Sequence, residues 1–377
     1  MSNASRPPVR LNDFRRQWQA IGDDAQQAFE RVGESGWYCL GQEVEHFEHE
    51  LAQFWGQPHA IGVGTGLDAI EIALRCLGAG PDDFVLTTPL SAFATTLAIL
   101  RIGATPVFVD VDNRGLIDLD LCREALEARR DIRFFVPVHL YGQSLRLDAL
   151  MALRDDFDLL LVEDCAQSIG ARVDGNKRPN GTVGQLAATS FYPTKNLGAL
   201  GDGGAILTAD DALADSARAL RDYGQTAKYE HSRVGLNSRL DEVHAAILRD
   251  AMLPRLRDWT AARRRVAARY LAGIDHPGIE LPRAADGSVW HLFPVLTNHR
   301  DSLAAHLAEH GVGSAVHYPK LIPDQTAMAE YGRFEILGNL ARSRRFATGE
   351  LSLPIHPFLD DDEIERVIQA CNQWRGT

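Results

Sequence analysis

A short apolar strand, a glycine turn and the start of a helix follow one another in His59-Ala60-Ile61-Gly62-Val63-Gly64-Thr65-Gly66-Leu67-Asp68-Ala69. Glycines allow a ligand to approach the backbone closely, and the first turn of a helix carries N–H groups that have no partner inside the helix. Because these groups and the helix dipole favour an anion, the stretch predicts a phosphate site. A tight turn that is merely capped by Thr65 is the simpler alternative for this segment.

The glycine turn also fits the GxGxxA form of the dinucleotide fingerprint, so a nicotinamide-dependent oxidoreductase is a rival interpretation. That interpretation requires an acidic residue about 20 positions further on, at the end of the second strand, to hold a ribose. The corresponding segment, Phe84-Val85-Leu86-Thr87-Thr88-Pro89, ends in threonines and a proline. The missing acid weakens the dinucleotide interpretation and favours a single phosphate.

Strands and helices continue to alternate on both sides of this stretch. Amphipathic segments of helix length lie at 43–55, 67–77, 93–102 and 118–128, and apolar runs of strand length lie at 60–63, 84–87, 106–109, 134–138 and 159–162. This alternation predicts an α/β fold with a large, mostly parallel sheet and helices on both faces. Two further apolar runs, at 186–191 and 204–208, follow at hairpin-like spacing and predict an antiparallel part, which makes the sheet mixed.

The pattern changes beyond residue 240. An Arg- and Ala-rich helical stretch covers 240–274 and contains Pro254, which predicts a kink or a break. A strand at 289–296 and helices at 302–310 and 361–374 are predicted after it. We therefore expect a large domain over residues 1–255, with an N-terminal helical segment, and a smaller C-terminal α/β domain over residues 256–377.

Composition excludes several classes of protein. The chain has 377 residues, of which 45% are apolar, and 51 acidic against 39 basic side chains give a net charge of −12. An acidic chain of this kind is not expected to bind nucleic acid, and no apolar run reaches the ~20 residues of a membrane span. Five scattered cysteines without a CxxC pair, and an N-terminus without an apolar signal segment, indicate reduced thiols in the cytoplasm and no metal site.

A carboxylate, a hydroxyl and a lysine then follow in order. Leu159-Leu160-Leu161-Val162-Glu163-Asp164 is a buried strand that ends in two acids, and Ser190-Phe191-Tyr192-Pro193-Thr194-Lys195 follows about thirty residues later. Pyridoxal phosphate requires a lysine amine, a carboxylate facing its pyridine nitrogen and donors for its phosphate. The alternative, a surface lysine and an acid that caps a helix, stays open on spacing alone.

The chain at this point resembles the DegT/DnrJ/StrS family of pyridoxal-phosphate sugar aminotransferases. The likeness extends over nearly the whole chain and is carried by Ser35-Gly36-Trp37-Tyr38, Gly64-Thr65-Gly66-Leu67-Asp68-Ala69, Gly103-Ala104-Thr105-Pro106-Val107-Phe108-Val109-Asp110, Val138-His139-Leu140-Tyr141-Gly142, Glu163-Asp164-Cys165-Ala166-Gln167-Ser168, Ser190-Phe191-Tyr192-Pro193-Thr194-Lys195-Asn196, Gly235-Leu236-Asn237-Ser238-Arg239-Leu240-Asp241-Glu242 and Leu353-Pro354-Ile355-His356-Pro357. The resemblance implies the aspartate aminotransferase fold (fold type I), pyridoxal 5′-phosphate as cofactor, and a homodimer with two sites at the subunit interface.

The resemblance also implies roles for individual residues. Lys195 corresponds to the Schiff-base lysine and proton shuttle, and Asp164, rather than Glu163, to the partner of the pyridine nitrogen. The other cofactor contacts are expected to be Phe93 stacked on the ring, Gln167 at its hydroxyl side, Thr65, Gly66, Leu67 and Ser190 around the phosphate, and Asn237 reaching the phosphate from the partner subunit. Residues expected near the substrate are Tyr192, Lys228, Tyr229, Arg239, His317 and Tyr318.

The segment that leads into Asn237 looks most like the branch of the family that acts on nucleotide-linked 3-keto-6-deoxyhexoses. The resemblance therefore implies transamination of such a sugar, with L-glutamate as the expected amino donor. A 4-keto sugar aminotransferase of the same family is the alternative. A non-catalytic regulator that kept the fold also stays open, although Lys195, Asp164 and Ser190 are all intact.

Overall fold

The computed structural model describes residues 7–173, 177–283 and 287–376. Its α-helices are α1 Phe14–Ser35, α2 Gln42–Trp55, α3 Gly66–Cys76, α4 Phe93–Arg101, α5 Leu119–Ala128, α6 Leu147–Phe157, α7 Asp211–Arg221, α8 Glu242–Ile247, α9 Leu256–Gly273, α10 Arg300–Glu309, α11 Thr326–Tyr331, α12 Ala341–Gly349 and α13 Asp361–Gln373. Its strands are β1 His59–Val63, β2 Phe84–Thr87, β3 Thr105–Phe108, β4 Phe134–Val136, β5 Leu160–Asp164, β6 Arg172–Val173, β7 Arg178–Pro179, β8 Leu186–Ser190, β9 Gly204–Thr208, β10 Gln225–Ala227, β11 Glu230–His231, β12 Phe293–Leu296, β13 Glu335–Ile336 and β14 Glu350–Leu353.

One sheet of eight strands in the order β1-β9-β8-β5-β4-β2-β3-β13 forms the centre of the fold. The strands from β13 to β8 pair in parallel, whereas β9 pairs antiparallel with both β8 and β1. The mixed, mostly parallel sheet of the sequence prediction is confirmed. Because β1, β5 and β8 all run in the same direction, their carboxyl ends lie at one edge of the sheet.

Helices cover both faces of this sheet. Neighbouring strand residues point to opposite faces, so Phe134 packs in a cluster with residues of α3, α4 and α7, whereas Phe135 packs in a cluster with residues of α5 and α6. Helices α1, α2 and α8 enclose a further cluster, against β1, β8 and β9. Apolar side chains are needed on both faces of such a sheet, which explains why its strands read as continuous apolar runs.

The C-terminal part of the chain has its own apolar cluster between α9, α10, α13 and the antiparallel pair β12–β14. The Arg-rich helical stretch is interrupted where Pro254 was expected to break it: five residues of π-helix, Leu248–Met252, and a 3-10 turn, Leu253–Arg255, separate α8 from α9. The short strand β13 lies beyond this break in the sequence but pairs with β3 of the large sheet. The division at residue 255 stays a prediction.

None of the helices in the described part of the chain combines the length and the hydropathy that a membrane span requires.

Candidate active site

A cavity of about 360 Å³ lies at the sheet edge where β1, β5 and β8 end. In open α/β sheets ligands bind in the crevice at the carboxyl ends of the strands, so the fold itself accounts for the position of this cavity. Ten of the residues selected from the sequence line it: Thr65, Gly66, Leu67, Asp164, Gln167, Ser190, Tyr192, Lys195, His317 and Tyr318.

The turn between β1 and α3 forms one wall of the cavity. The Thr65 hydroxyl accepts a hydrogen bond of 3.0 Å from the Asp68 N–H, so Thr65 is the N-cap of α3. A Cβ on Gly66 would lie 2.6 Å from Cβ of Ser190, and a Cβ on Gly204 would lie 2.6 Å from the carbonyl carbon of Thr65. Glycine is needed at both positions because the neighbouring atoms approach so closely. Gly66 and Leu67, the first residues of α3, line the cavity together with Ser190. Such a helix start is suited to a phosphate.

The two acids at the end of β5 have different surroundings. The Glu163 side chain is fully buried away from the cavity, where it pairs with Nε2 of His139 at 2.9 Å and accepts hydrogen bonds from the N–H groups of Gly181, Val183 and Gly184. Burial raises the pKa of Glu163, but these partners outweigh it and hold the pKa below its usual value. Glu163 is therefore a structural acid, and the choice of Asp164 for the cavity agrees with strand alternation.

The Asp164 carboxylate lies in the cavity wall and is held by two donors. One oxygen accepts a hydrogen bond of 2.8 Å from the Thr95 hydroxyl, and the other accepts one of 3.0 Å from the Ala166 N–H. Thr95 is itself hydrogen-bonded to Ser91 at 3.1 Å. Burial raises the pKa of Asp164, although these hydrogen bonds and the charge of Lys195 act in the opposite direction. Asp164 is thus a fixed, buried carboxyl that favours a cationic partner in the cavity.

Lys195 lies in the connection between β8 and β9. Its backbone N–H donates to the Tyr192 carbonyl at 2.8 Å, and the neighbouring Asn196 side chain donates to the Val289 carbonyl at 2.9 Å, which anchors the connection on the C-terminal part of the chain. Burial lowers the pKa of Lys195 to about 8, although Asp164 acts to raise it. A lysine with a lowered pKa supplies an unprotonated amine close to neutral pH, as a nucleophile or a base requires.

Another part of the cavity wall is formed by Gln167, His317 and Tyr318. The Gln167 side chain accepts a hydrogen bond of 2.8 Å from the Tyr141 N–H and donates one of 3.1 Å to the Tyr318 hydroxyl. The Tyr141 hydroxyl donates to the His317 carbonyl at 2.6 Å. Burial lowers the pKa of His317 to about 4, with a contribution from Lys195, so its ring is neutral at physiological pH.

Several polar residues of the cavity were not selected from the sequence. Ser91 and Thr95 lie two residues before and after Phe93 and line the cavity. His291 is buried at the cavity, with Nδ1 3.2 Å from the Asn196 side-chain oxygen, and burial together with Lys195 lowers its pKa well below the usual value. Asp202, between Gly201 and Gly203 just before β9, also lines the cavity. Thr95 had a signal, since it carries a hydroxyl in the first turn of α4, two residues after the expected ring contact Phe93. A lone histidine in a strand-like segment has none.

Phe93 is not among the described residues that line the cavity, although Ala92 and Ala94 are. The Phe93 ring is partly buried against a small cluster of Phe108, Ile322 and Met328. The stacking of Phe93 on a cofactor ring therefore stays a prediction.

Four other selected residues also lie outside the cavity lining. Asn237 is exposed and forms an antiparallel bridge with Asp222, and Arg239 pairs with Asp222 at 3.2 Å. Lys228 and Tyr229 belong to the exposed hairpin β10–β11, where 82% of Tyr229 is accessible to solvent. A single chain does not bring these four residues to its own cavity.

The cavity residues fit pyridoxal 5′-phosphate. Asp164 is a buried carboxyl with two fixed donors, Lys195 carries an amine with a lowered pKa, and a glycine-lined helix start lies beside the Ser190 hydroxyl. A ring nitrogen, an aldehyde carbon and a phosphate group would meet these three features respectively.

The aminotransferase family described as DegT/DnrJ/EryC1/StrS matches residues 19–372 of the sequence. The chain belongs to this family. Its members use pyridoxal 5′-phosphate, so the chain is an aminotransferase with that cofactor and fold type I, and the nicotinamide alternative and the non-catalytic regulator are set aside.

Similar proteins cover nearly the full chain. The dTDP-3-amino-3,4,6-trideoxy-alpha-D-glucose transaminase of Streptomyces venezuelae is 43% identical over 377 residues, with 99% of this chain and 98% of the relative covered. The crystal structure of S. venezuelae DesV in complex with a ketimine intermediate is 42% identical, with a TM-score of 0.92 and 98% and 99% of the two chains covered. Bacillus subtilis NtdA with bound cofactor PMP is 28% identical, with a TM-score of 0.88 and 98% and 86% covered.

Proposed function

We propose that this aminotransferase places an amino group on carbon 3 of a nucleotide-linked 3-keto-6-deoxyhexose, with a dTDP-linked sugar as the substrate and L-glutamate as the amino donor. The product is an amino sugar for polysaccharide or glycoside biosynthesis. The observation that carries this proposal is the joint presence of the Lys195 amine and the Asp164 carboxyl in one cavity of a chain that is 43% identical to a dTDP-3-amino sugar transaminase over its whole length.

Lys195 is the proposed catalytic base. Pyridoxal phosphate supplies an electron sink that stabilises negative charge at the carbon from which a proton is removed. The Lys195 amine, with its pKa lowered to about 8 by burial, takes up that proton and returns it at the neighbouring carbon of the reacting system. Asp164 would pair with a positive charge on the bound ring, and its hydrogen bonds from Thr95 and Ala166 keep the carboxylate from turning away.

The remaining cofactor contacts are proposed from their positions. The N–H groups of Gly66 and Leu67, with the hydroxyls of Thr65 and Ser190, would hold the phosphate, and the Gln167 amide would contact the ring's hydroxyl side. Phe93 is proposed to stack on the ring. These assignments follow from the cavity lining for all of them except Phe93.

The enzyme is proposed to be a cytoplasmic homodimer with shared sites. Asn237, Lys228, Tyr229 and Arg239 lie outside the cavity of their own chain, and a partner subunit is the natural source of such residues for each site. Large apolar side chains that are exposed in the single chain, among them Trp37 (61%) and Tyr229 (82%), support an interface.

From the chain's own cavity, Tyr192, His317 and Tyr318 would contact the substrate. The five free cysteines support a reducing compartment.

The experiment that tests the proposal offers a panel of nucleotide-linked keto sugars to the enzyme loaded with pyridoxamine 5′-phosphate. The panel crosses the 3-keto and 4-keto positions with thymidine and uridine diphosphates, and products are identified by mass spectrometry and NMR. We expect an amine on carbon 3 of a dTDP-linked sugar. A product with the amine on carbon 4 would favour the 4-keto alternative, and activity only between amino acids and keto acids would reject the sugar assignment.

A further inference from the structure

A chain of three hydrogen-bonding groups begins at the cavity wall and ends at a buried acid. Nδ1 of His317 lies 2.9 Å from the Ser352 hydroxyl oxygen, and that oxygen lies 2.5 Å from Oε1 of Glu350. The second carboxyl oxygen of Glu350 accepts a hydrogen bond from the His317 backbone N–H. Glu350 and Ser352 are fully buried, whereas His317 lines the cavity. The three groups therefore connect a ring at the cavity with a carboxyl that is buried behind it.

Two hydrogen bonds join the three groups, and both can reverse their direction of donation. When Glu350 is ionised, Ser352 donates to Glu350, so the Ser352 oxygen accepts from Nδ1–H of His317, and Nε2 carries no proton. When Glu350 is protonated, it donates to Ser352, and Ser352 donates to an unprotonated Nδ1, so the proton of the neutral ring is on Nε2. The charge of one buried carboxyl thus selects the ring tautomer.

The selected tautomer matters because Nε2 of His317 makes no hydrogen bond with the residues that the structure describes, while its ring lines the cavity. We propose that Glu350 is a positioning residue that acts through Ser352, and that it determines whether His317 offers the substrate a hydrogen-bond donor or an acceptor. A donor suits a carbonyl, carboxylate or phosphate oxygen of the bound molecule, and an acceptor suits a hydroxyl or an ammonium group. The inference requires only the aminotransferase cavity, whichever sugar is the substrate.

The environment of Glu350 allows both states near physiological pH. Burial raises the pKa of Glu350 to about 8, although the Ser352 hydroxyl, the His317 N–H and the charge of Arg300 act to lower it. The Tyr141 and Tyr318 hydroxyls are the other titratable groups that interact with this carboxyl, and burial raises the pKa of both far above 8. Only Glu350 in this group changes charge between neutral and mildly alkaline pH.

The charged group that faces the His317 ring is Lys195. Burial lowers the pKa of its free amine to about 8, close to the pKa of Glu350, so an activity profile alone does not distinguish the two groups. Because the pKa of His317 is lowered to about 4, the ring stays neutral through this range, and a change in its signals reports the tautomer rather than ionisation.

The test is an NMR titration of the ring nitrogens in holoenzyme labelled with ¹⁵N-histidine. A His317→Gln variant identifies the resonances of His317. We expect the Nε2–H tautomer at about pH 6.5 and the Nδ1–H tautomer at about pH 9.5, because the two nitrogens exchange the donor role as Glu350 ionises.

Three variants make the test specific. Glu350→Gln, whose amide donates to Ser352 at every pH, is expected to fix the Nε2–H tautomer throughout. Ser352→Ala is expected to abolish the pH-dependent exchange, and Ser352→Thr, which keeps the hydroxyl, is expected to restore it. A His317 ring that keeps one tautomer across the pH range, or an exchange that persists in Glu350→Gln, would overturn the proposal. If either variant of Ser352 fails to fold, the wild-type titration with Glu350→Gln decides.

Discussion

Two adjacent acids of β5, Glu163 and Asp164, have different roles because their side chains point to opposite faces of the strand. Glu163 points into the core and binds three backbone N–H groups and His139, whereas Asp164 points into the cavity and is held by Thr95 and Ala166. The sequence predicted an acid at the strand end, and the resemblance selected Asp164. Its fixed orientation was not predictable, because Thr95 reaches it from a distant part of the chain.

Lys195→Ala is expected to lower turnover by at least about 10⁴-fold, since it removes both the amine that binds the cofactor and the proposed base. The protein should also lose the absorbance at about 420 nm of a cofactor linked to lysine. Far-UV circular dichroism should be unchanged. Lys177→Ala, at an exposed lysine, is the control and should keep full activity. Transaminase activity in the Lys195→Ala protein would contradict the assignment.

Substitutions of the two acids of β5 are expected to have different effects, one on turnover and the other on stability. Asp164→Asn should lower kcat about 100-fold, because a charge that stabilises the reacting system is lost, with little effect on the free energy of unfolding. Activity assays and urea denaturation measure the two effects. Near-normal turnover in Asp164→Asn would exclude it as the partner of the cofactor ring.

Glu163→Gln should instead lower the free energy of unfolding by about 2 kcal/mol at neutral pH, because an amide cannot replace a carboxylate that accepts four hydrogen bonds. The pKa of Glu163 is lowered in the folded state, so its contribution is present at neutral pH and is lost as the pH falls through that pKa. Urea denaturation at several pH values should therefore show the wild-type and variant proteins converging in acid. A constant difference at all pH values would contradict this role.

At the scale of elements, the site depends on how closely the start of α3 approaches the end of β8 and the start of β9. This packing makes Gly66 and Gly204 necessary, and Gly66 and Leu67 at the start of α3 line the cavity. The sequence predicted both the strand-turn-helix and its anion site. It did not show which strand would lie against the turn, since β9 is inserted between β1 and β8 in the sheet.

Gly66→Ala is expected to weaken cofactor binding by about tenfold or more, because the added Cβ would lie 2.6 Å from Cβ of Ser190 and must displace the turn from the phosphate position. The dissociation constant can be measured by titrating apoenzyme with pyridoxal 5′-phosphate. Gly33→Ala in α1, where nothing lies within 4 Å of the added Cβ, is the matched control and should be neutral or stabilise by up to about 1 kcal/mol. Equal cofactor affinity in the two variants would contradict the proposed cradle.

At the scale of the whole molecule, the described chain builds the cofactor side of the site and leaves four predicted site residues elsewhere on its surface. The proposed dimer explains this division, because the partner's copies would complete each cavity. The prediction can be tested without a structure of the dimer, since residues that act in one site from two chains can complement each other.

We expect a mixture of Lys195→Ala and Asn237→Ala proteins to regain activity that neither protein has alone. In a heterodimer, the cavity with an intact Lys195 receives the intact Asn237 of the other subunit. Random exchange of subunits in equal amounts should restore about one quarter of wild-type activity, because half of the dimers have one complete site of two. The mixture is measured after unfolding and refolding together. Activity equal to the average of the separate proteins would place Asn237 outside the partner's site.

The sequence by itself determined the alternation of strands and helices, the anion site at Gly64-Thr65-Gly66, and the acid and lysine of the cavity, because these depend on local backbone geometry and on residue type. Only the tertiary structure decided which side chains surround them. Thr95, His291, Ser352 and Glu350 reach the site or its wall through contacts between segments far apart in the chain, and burial, which lowers the pKa of Lys195 and raises that of Glu350, arises only when those segments pack together.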